Sequence, residues 1–175
     1  MNRWGVLLLA VCALGVSACD DDSSSPAAPS NAPLVFVADL RAANEVPAIT
    51  NAESGGTGTA TVTLTPTRDA SNAITGGTFE FAFTVTGLTP TSNITLAHIH
   101  TGAAGVNGGV VVNSQLSAAT SIPTPAGSAS FQRSGLAADS AATVSAIVAN
   151  PSAFYFNVHT TLNPGGVVRG QLRAQ

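Results

Sequence analysis

Residues 57–65 read TGTATVTLT and residues 78–86 read TFEFAFTVT, and these two stretches decide the fold class. In both, apolar side chains occupy every second position, and Thr occupies most of the positions between them. The apolar positions are Ala60, Val62 and Leu64 in the first stretch and Phe79, Phe81, Phe83 and Val85 in the second. A period of two is typical of β-strands that bury one face and expose the other. The two stretches therefore predict two strands of an all-β domain.

The same alternation continues on both sides of these strands. Further strands are predicted at residues 34–40, 94–100, 110–112, 128–131, 154–160 and 167–173. Gly-rich turns separate most of them, and the sequence Asn-Pro-Gly-Gly at 163–166 predicts the turn of a closing hairpin.

One segment before that hairpin has a helical period instead. Val144 and Ile147 recur at helical spacing, Asp139 or Ser140 can cap the start, and Pro151 lies just past the end. We therefore predict an all-β fold with one short helix. The architecture is either a two-sheet β-sandwich or a flattened Greek-key barrel with a helical crossover.

The composition excludes nucleic acid as a partner, and the absence of catalytic motifs argues against a hydrolytic enzyme. The chain has 175 residues, of which 9% are charged, with six Arg, no Lys and nine acids. Nucleic-acid binding needs a basic surface that this balance does not provide. No G-x-S-x-G nucleophile motif occurs, and the acids are scattered without the pattern of an acid–base pair. No catalytic residue is predicted, and a non-enzymatic function is favoured over a hydrolytic one.

The first 18 residues have the features of a secretory signal peptide. Arg3 precedes an apolar run over residues 6–16, which is shorter than the about 20 residues that span a bilayer. The run ends Val-Ser-Ala-Cys at 16–19, which resembles a bacterial lipobox. That resemblance implies cleavage before Cys19 and attachment of diacylglycerol and a further acyl chain such as palmitate. The expected location is the cell envelope, with the chain anchored by lipid in a bacterial membrane, inner or outer.

A spacer separates the expected lipid from the domain. Residues 19–32 contain acids, Ser and Pro but no large apolar side chain, which predicts a solvated, flexible linker. The folded domain is expected over residues 33–175. Because Cys12 leaves with the signal peptide and Cys19 is lipidated, the domain has no thiol for a disulfide or a metal.

The three histidines of the chain are the residues that best suit a functional site. His98 and His100 lie two residues apart on one predicted strand, so they point the same way, roughly 6.5–7 Å apart. A third imidazole, from His159, would complete a site for copper or zinc. Two observations leave alternatives open. His98 shares its parity with Ile94 and Leu96, so the strand either bends or has a mixed face, and the imidazoles can also serve as structural hydrogen-bonding groups.

Three further side chains are candidates for orienting the histidines or a ligand. Tyr155 and Asn157 alternate with the core-facing positions of the strand that carries His159, and so share its face. Arg169 lies across the closing hairpin, where it can bind an acid, a carbonyl oxygen or an anion.

Several segments together resemble the CHRD domain family, which takes its name from chordin. The matching stretches are residues 40–47, 58–60, 97–102, 108–112, 155–160 and 164–172. The resemblance implies an immunoglobulin-like β-barrel and leaves the function open. Val167-Val168 departs from the family pattern, which often has an acid before its Ile-Arg, and this departure removes one charge near His159.

These observations favour a membrane-anchored, extracytoplasmic binding or interaction module. Its partner would be an envelope protein or a glycan. The alternative is a copper- or zinc-binding protein that uses His98, His100 and His159, with a role either in storing or delivering the ion or in redox chemistry.

Overall fold

The computed structural model describes residues 30–175. The predicted signal peptide, Cys19 and most of the linker lie outside these residues. Residues 30–33 are exposed and have no regular structure. No helix in the described part of the chain is both long and apolar enough to cross a membrane.

The described residues form ten strands, one α-helix and three short 3₁₀ turns. The strands are β1 (Leu34–Arg41), β2 (Thr57–Arg68), β3 (Ile74–Thr86), β4 (Asn93–Thr101), β5 (Val110–Asn113), β6 (Ile122–Pro123), β7 (Ala129–Ala137), β8 (Phe154–Thr160), β9 (Val168–Gln171) and β10 (Arg173–Ala174). The helix α1 covers Ala141–Ala149. The 3₁₀ turns cover Ala42–Asn44, Ala118–Thr120 and Pro151–Ala153.

The strands form one antiparallel sheet that closes almost completely into a barrel. Its order is β5-β4-β8-β9-β1-β2-β3-β7, with β10 paired to β1 and β6 paired to β4. A bridge between Val112 and Ala138 brings the two edges of the sheet together. The connections from β3 to β4 and from β7 through α1 to β8 join strands that are not neighbours. The predicted all-β fold of the sandwich or barrel type, with one short helix, is therefore confirmed, and its form is a nearly closed barrel.

The alternating side chains of the long strands fill the barrel. Phe156 of β8 lies at the centre, with its ring centroid 5.1 Å from that of Phe81 and 5.6 Å from that of Phe83. All three side chains are buried. The strand faces that the sequence predicts for β1, β2 and β3 are the faces that the core contains. The contact between Phe81 and Phe156 is edge-on, and aromatic pairs in this geometry add stability beyond the area that they bury.

The predicted helix is also confirmed. Ser140 caps α1 by accepting a hydrogen bond from the backbone N–H of Thr143, and Val144 and Ile147 are buried against the barrel. The strand predicted at residues 128–131 is shorter than the observed strand β7, which extends to Ala137. Its second half contains Arg133 and Gly135, which hide the alternation in the sequence.

A β-bulge in β4 explains why His98 does not face the core, although it has the same parity as the core residue Ile94. The register against β8 shifts between Ile94 and Leu96. Ile94 faces the core before the bulge, and Ala97 and Ile99 are fully buried after it. His98 and the residues that share its parity beyond the bulge therefore lie on the outer face of the barrel.

We expect Phe156→Ala to lower the free energy of unfolding by about 3–5 kcal/mol, because it removes a fully buried ring and leaves a cavity. Urea denaturation followed by circular dichroism measures the change. Val106→Ala is the control, because Val106 is 53% exposed and its truncation should change stability by less than about 0.5 kcal/mol. A loss of similar size in both variants would contradict the assignment of this core.

Candidate functional site

The outer face of β4, β8 and β9 is buried, in contrast to the outer face of β2. Every residue of β8 is buried, including those that point away from the core. Three segments, which we call the cover loops, pack over this face: residues 42–47, 102–109 and 163–166. A polar surface on the barrel is thereby enclosed between strands and loops.

The three histidines meet on this enclosed face. One ring nitrogen from each of His98, His100 and His159 lies within 4.8 Å of the other two. Nδ1 of His98 is 3.3 Å from Nε2 of His159. The bulge in β4 and the pairing of β4 with β8 produce this arrangement, because Leu96 is opposite His159 and His98 is opposite Asn157.

Two backbone carbonyls of the cover loops fix how two of the imidazoles are protonated. Nδ1 of His100 donates to the carbonyl of Gly108 and Nδ1 of His159 donates to that of Pro164, each at 3.0 Å. In the neutral ring the proton is then on Nδ1, so Nε2 of His100 has a free lone pair and Nε2 of His159 is left to accept from Nδ1 of His98. Carbonyl partners of this kind orient histidine ligands in metal sites.

All three imidazoles are held neutral. Burial, with smaller effects from His159 and His100, lowers the pKa of His98 to about 4. Burial also lowers the pKa of His100 and of His159, although their hydrogen bonds to Gly108 and Pro164 oppose the shift. Neutral imidazole is the form that binds a metal ion, so protons compete with the metal less than they would at an exposed histidine.

Tyr155 lies beside the histidines, on their face of the sheet. Its ring stacks on that of His100, with centroids 4.9 Å apart and planes 8° apart. Its hydroxyl accepts a hydrogen bond from the backbone N–H of Gly108, the residue whose carbonyl holds His100. Tyr155 thus contacts an imidazole directly and steadies the loop that fixes its tautomer.

The hydrogen bonds that the Arg169 side chain donates go to the cover loops. Its guanidinium lies over the ring of Tyr155, with Cζ 4.5 Å from the centroid. Nε donates to the carbonyl of Asn44 at 2.6 Å, and Nη1 donates to Oδ1 of Asn107 at 2.8 Å. The side chain is 1% exposed, so a full positive charge is buried under two of the loops.

Glu45, in the first cover loop, is an acid that interacts electrostatically with Arg169. The sequence patterns did not single it out as a site residue. Burial raises its pKa to about 7, although Arg169 and Asn157 oppose the shift. Its position within the family-like stretch 40–47 is the one signal that could have identified it. Gly166 has a φ of 129°, and a Cβ there would lie 2.7 Å from Asn157 and 2.9 Å from Glu45. Glycine therefore lets the third cover loop approach these side chains.

Glu53 is a second acid that the sequence patterns did not single out. It lies next to the site and binds the turn that contacts His159. Its carboxylate is fully buried and accepts hydrogen bonds from the hydroxyl of Thr160 and the amide of Asn163, both at 2.7 Å. Burial alone would raise the pKa of Glu53, but the hydrogen bonds that it accepts lower it below its ordinary value. Asn163 precedes Pro164, so Glu53 anchors the turn that holds His159.

Several polar atoms at this site have no hydrogen-bond partner. Within residues 30–175 there are four such buried side-chain atoms, and all of them belong to the enclosed face. They are Oε1 of Glu45, Nε2 of His100, Oδ1 of Asn157 and Nη2 of Arg169. Buried polar groups in folded proteins are nearly always paired, and their concentration in one place is typical of a binding site.

The fold and the site define an antiparallel β-barrel domain with an enclosed polar face that bears three histidines. The sequence profile of the CHRD domain family matches residues 36–172, and the chain belongs to this family. No curated protein sequence and no solved structure matches the chain. Membership of the family supports a binding or interaction module, and the three neighbouring histidines can hold a metal ion.

The buried imidazoles predict that the metal-free protein loses stability when the solution becomes mildly acidic. The pKa of a histidine in the unfolded chain is about 6.5, and that of His98 in the folded protein is about 4. Between these values the unfolded chain binds protons that the native protein does not, so the free energy of unfolding falls as pH falls. We expect His98 alone to contribute a loss of about 2 kcal/mol between pH 7.5 and 5, and this loss is seen most clearly in Glu45→Gln because Glu45 shifts stability the other way.

Urea denaturation of chelator-treated protein at several pH values measures this loss. Glu45 acts in the opposite direction, because its raised pKa lets the native protein bind a proton first, so Glu45→Gln should steepen the fall. The variant His98→Phe should flatten it. Stability that stays constant or rises between pH 7.5 and 5 in both the original protein and Glu45→Gln would show that the imidazoles are not buried in the neutral form.

Proposed function

We propose that this chain is a lipid-anchored, extracytoplasmic binding module of the bacterial cell envelope, and that its ligand is a copper or zinc ion. The N-terminal sequence supports the anchor, with the lipobox-like motif that ends at Cys19. The family supports a binding role. The convergence of His98, His100 and His159 on one enclosed point carries the choice of ligand.

The closest pair of imidazole nitrogens has the spacing that a tetrahedral ion requires. Zinc binds imidazole nitrogen at 2.0–2.1 Å, so two nitrogens of a tetrahedral site lie about 3.4 Å apart. Nδ1 of His98 and Nε2 of His159 are 3.3 Å apart. Nε2 of His100 is buried without a partner and supplies the third donor. Three imidazoles leave one position for water or another ligand, and the nitrogen donors suit copper as well as zinc.

Elemental analysis tests the metal directly. The full-length protein is extracted from membranes in detergent, without chelator or nickel resin. We expect close to one copper or zinc ion per chain, and none in the variant with all three histidines changed to Ala. Asp69→Asn is the matched control, because Asp69 is an exposed carboxylate away from the site, and it should retain the metal.

Thermal unfolding gives a second readout of the same claim. A ligand that binds only the native state at a hundredfold excess over Kd stabilises it by about 2.7 kcal/mol. Added Cu²⁺ or Zn²⁺ should therefore raise the Tm of the metal-free protein but not that of His100→Ala. Absence of both bound metal and a thermal shift would reject the metal ligand, and an envelope protein or glycan would replace it as the proposed partner.

The anchor has its own test. Cys19→Ala should remove incorporation of labelled palmitate and move the protein from the membrane fraction to the soluble extracytoplasmic fraction. The physical reason is that each buried CH₂ of an acyl chain contributes about 0.8 kcal/mol, so the acyl chains dominate membrane binding. Cys12→Ala is the control and should remain in the membrane fraction. Membrane association of Cys19→Ala equal to that of the control would contradict the proposed anchor.

A further inference from the structure

A cavity of about 310 Å³ lies under the first two cover loops, against the outer face of β9. Arg169 and Glu45 line it, together with small residues of the loops. The three histidines are not among its lining residues. Tyr155, on the strand between β4 and β9, contacts both His100 and Arg169 and so lies between this cavity and the three histidines.

Arg169 and Glu45 are residues of opposite charge type, but they do not form an ion pair with each other. Within residues 30–175 the one ion pair closer than 4.0 Å is Arg173–Asp39, which is at the surface. Nη2 of Arg169 has no acceptor, although the side chain is 1% exposed. Oε1 of Glu45 has no donor, and that residue is 7% exposed. Arg169 and Glu45 therefore line one partly open cavity, and each has a buried polar atom without a partner.

A second free acceptor lies beside Glu45. A Cβ placed on Gly166 would be 2.7 Å from Nδ2 of Asn157, 2.8 Å from its Oδ1 and 2.9 Å from Oε1 of Glu45, so the amide of Asn157 and this carboxylate oxygen flank the same glycine. Oδ1 of Asn157 also has no hydrogen-bond partner. The cavity is thus lined by the residues that carry an unpaired donor, Arg169, and an unpaired acceptor, Glu45, and the unpaired acceptor of Asn157 lies beside Glu45.

This arrangement is complementary to a molecule with a carboxylate at one end and an O–H or N–H donor next to it. From the juxtaposition of Arg169 and Glu45 across the cavity, we infer that the enclosed face has a second site, which binds a small hydroxy acid or amino acid. The carboxylate accepts from Nη2 of Arg169, and the hydroxyl or amino group donates to Oε1 of Glu45. Phosphate suits the site less well, because it requires several donors and would face the oxygens of Glu45 and Asn157.

This inference does not depend on the metal, and its test uses chelator-treated, full-length protein in detergent. Isothermal titration compares L-lactate and glycine with propionate, which has the carboxylate but no donor, and with inorganic phosphate. We expect lactate or glycine to bind about tenfold or more tightly than propionate, because propionate leaves a buried acceptor unpaired. The stronger of the two ligands identifies a hydroxyl or an amino group as the donor that the site recognises.

Three variants assign the binding to this cavity. Arg169→Gln should weaken all carboxylate binding by about tenfold or more, because it removes a charged donor. Glu45→Leu should abolish the preference for lactate or glycine over propionate. Arg173→Gln is the matched control, because this arginine is 58% exposed, and it should bind as the original protein does.

A measurement on the unaltered protein keeps the test valid if Arg169→Gln does not fold. In NMR spectra of protein with ¹⁵N-labelled arginine, addition of the preferred ligand should shift the guanidinium signals of Arg169 and leave those of the surface arginine Arg173 in place. Three results would overturn the inference. The first is that no carboxylate binds, and the second is that phosphate binds more tightly than lactate and glycine. The third is that the signals of Arg169 stay unchanged at saturating ligand.

Discussion

The β-bulge between Ile94 and Leu96 is the constraint on which the rest of the site depends. Without the extra residue, the parity that places Ile94 in the core would place His98 there too. With it, Ala97 and Ile99 complete the core and the imidazoles point to the outer face. The pairing of β4 with β8 then sets His98 and His100 beside the strand that carries His159. One inserted residue thus separates a hydrophobic interior from an enclosed polar face on the same strand.

Burial of that polar face has electrostatic consequences that act together. Removal of the imidazoles from water keeps them neutral, and carbonyls of the cover loops direct the lone pairs of His100 and His159. The same loops are held by Arg169, whose charge is buried without a carboxylate in contact. The loops therefore enclose two neighbouring groups of side chains, one of three neutral imidazoles and one in which Arg169 and Glu45 each keep an unpaired polar atom. The first suits a metal ion and the second suits a small polar acid.

The sequence predicted most of the fold, because period-two alternation reports directly which face of a strand is buried. It predicted α1 from Ser140 and Pro151 and the shared face of Tyr155, Asn157 and His159. It could not decide the face of His98, because a bulge leaves no mark in the spacing of residues. It did not identify Glu45 and Glu53 as site residues, because the groups that their carboxylates interact with are 36 or more residues away along the chain. Contacts of that range depend on strand order, which one sequence does not reveal.

The arrangement of protons on the histidine rings is the central claim, and long-range ¹H–¹⁵N NMR of the imidazoles measures it most directly. In metal-free protein at neutral pH, we predict that His100 and His159 carry their proton on Nδ1 and have an unprotonated Nε2. One equivalent of Zn²⁺ should shift Nδ1 of His98 and Nε2 of the other two together. Protonation at Nε2 of His100 or His159 in the metal-free protein, or ring signals that do not respond to zinc, would contradict the account.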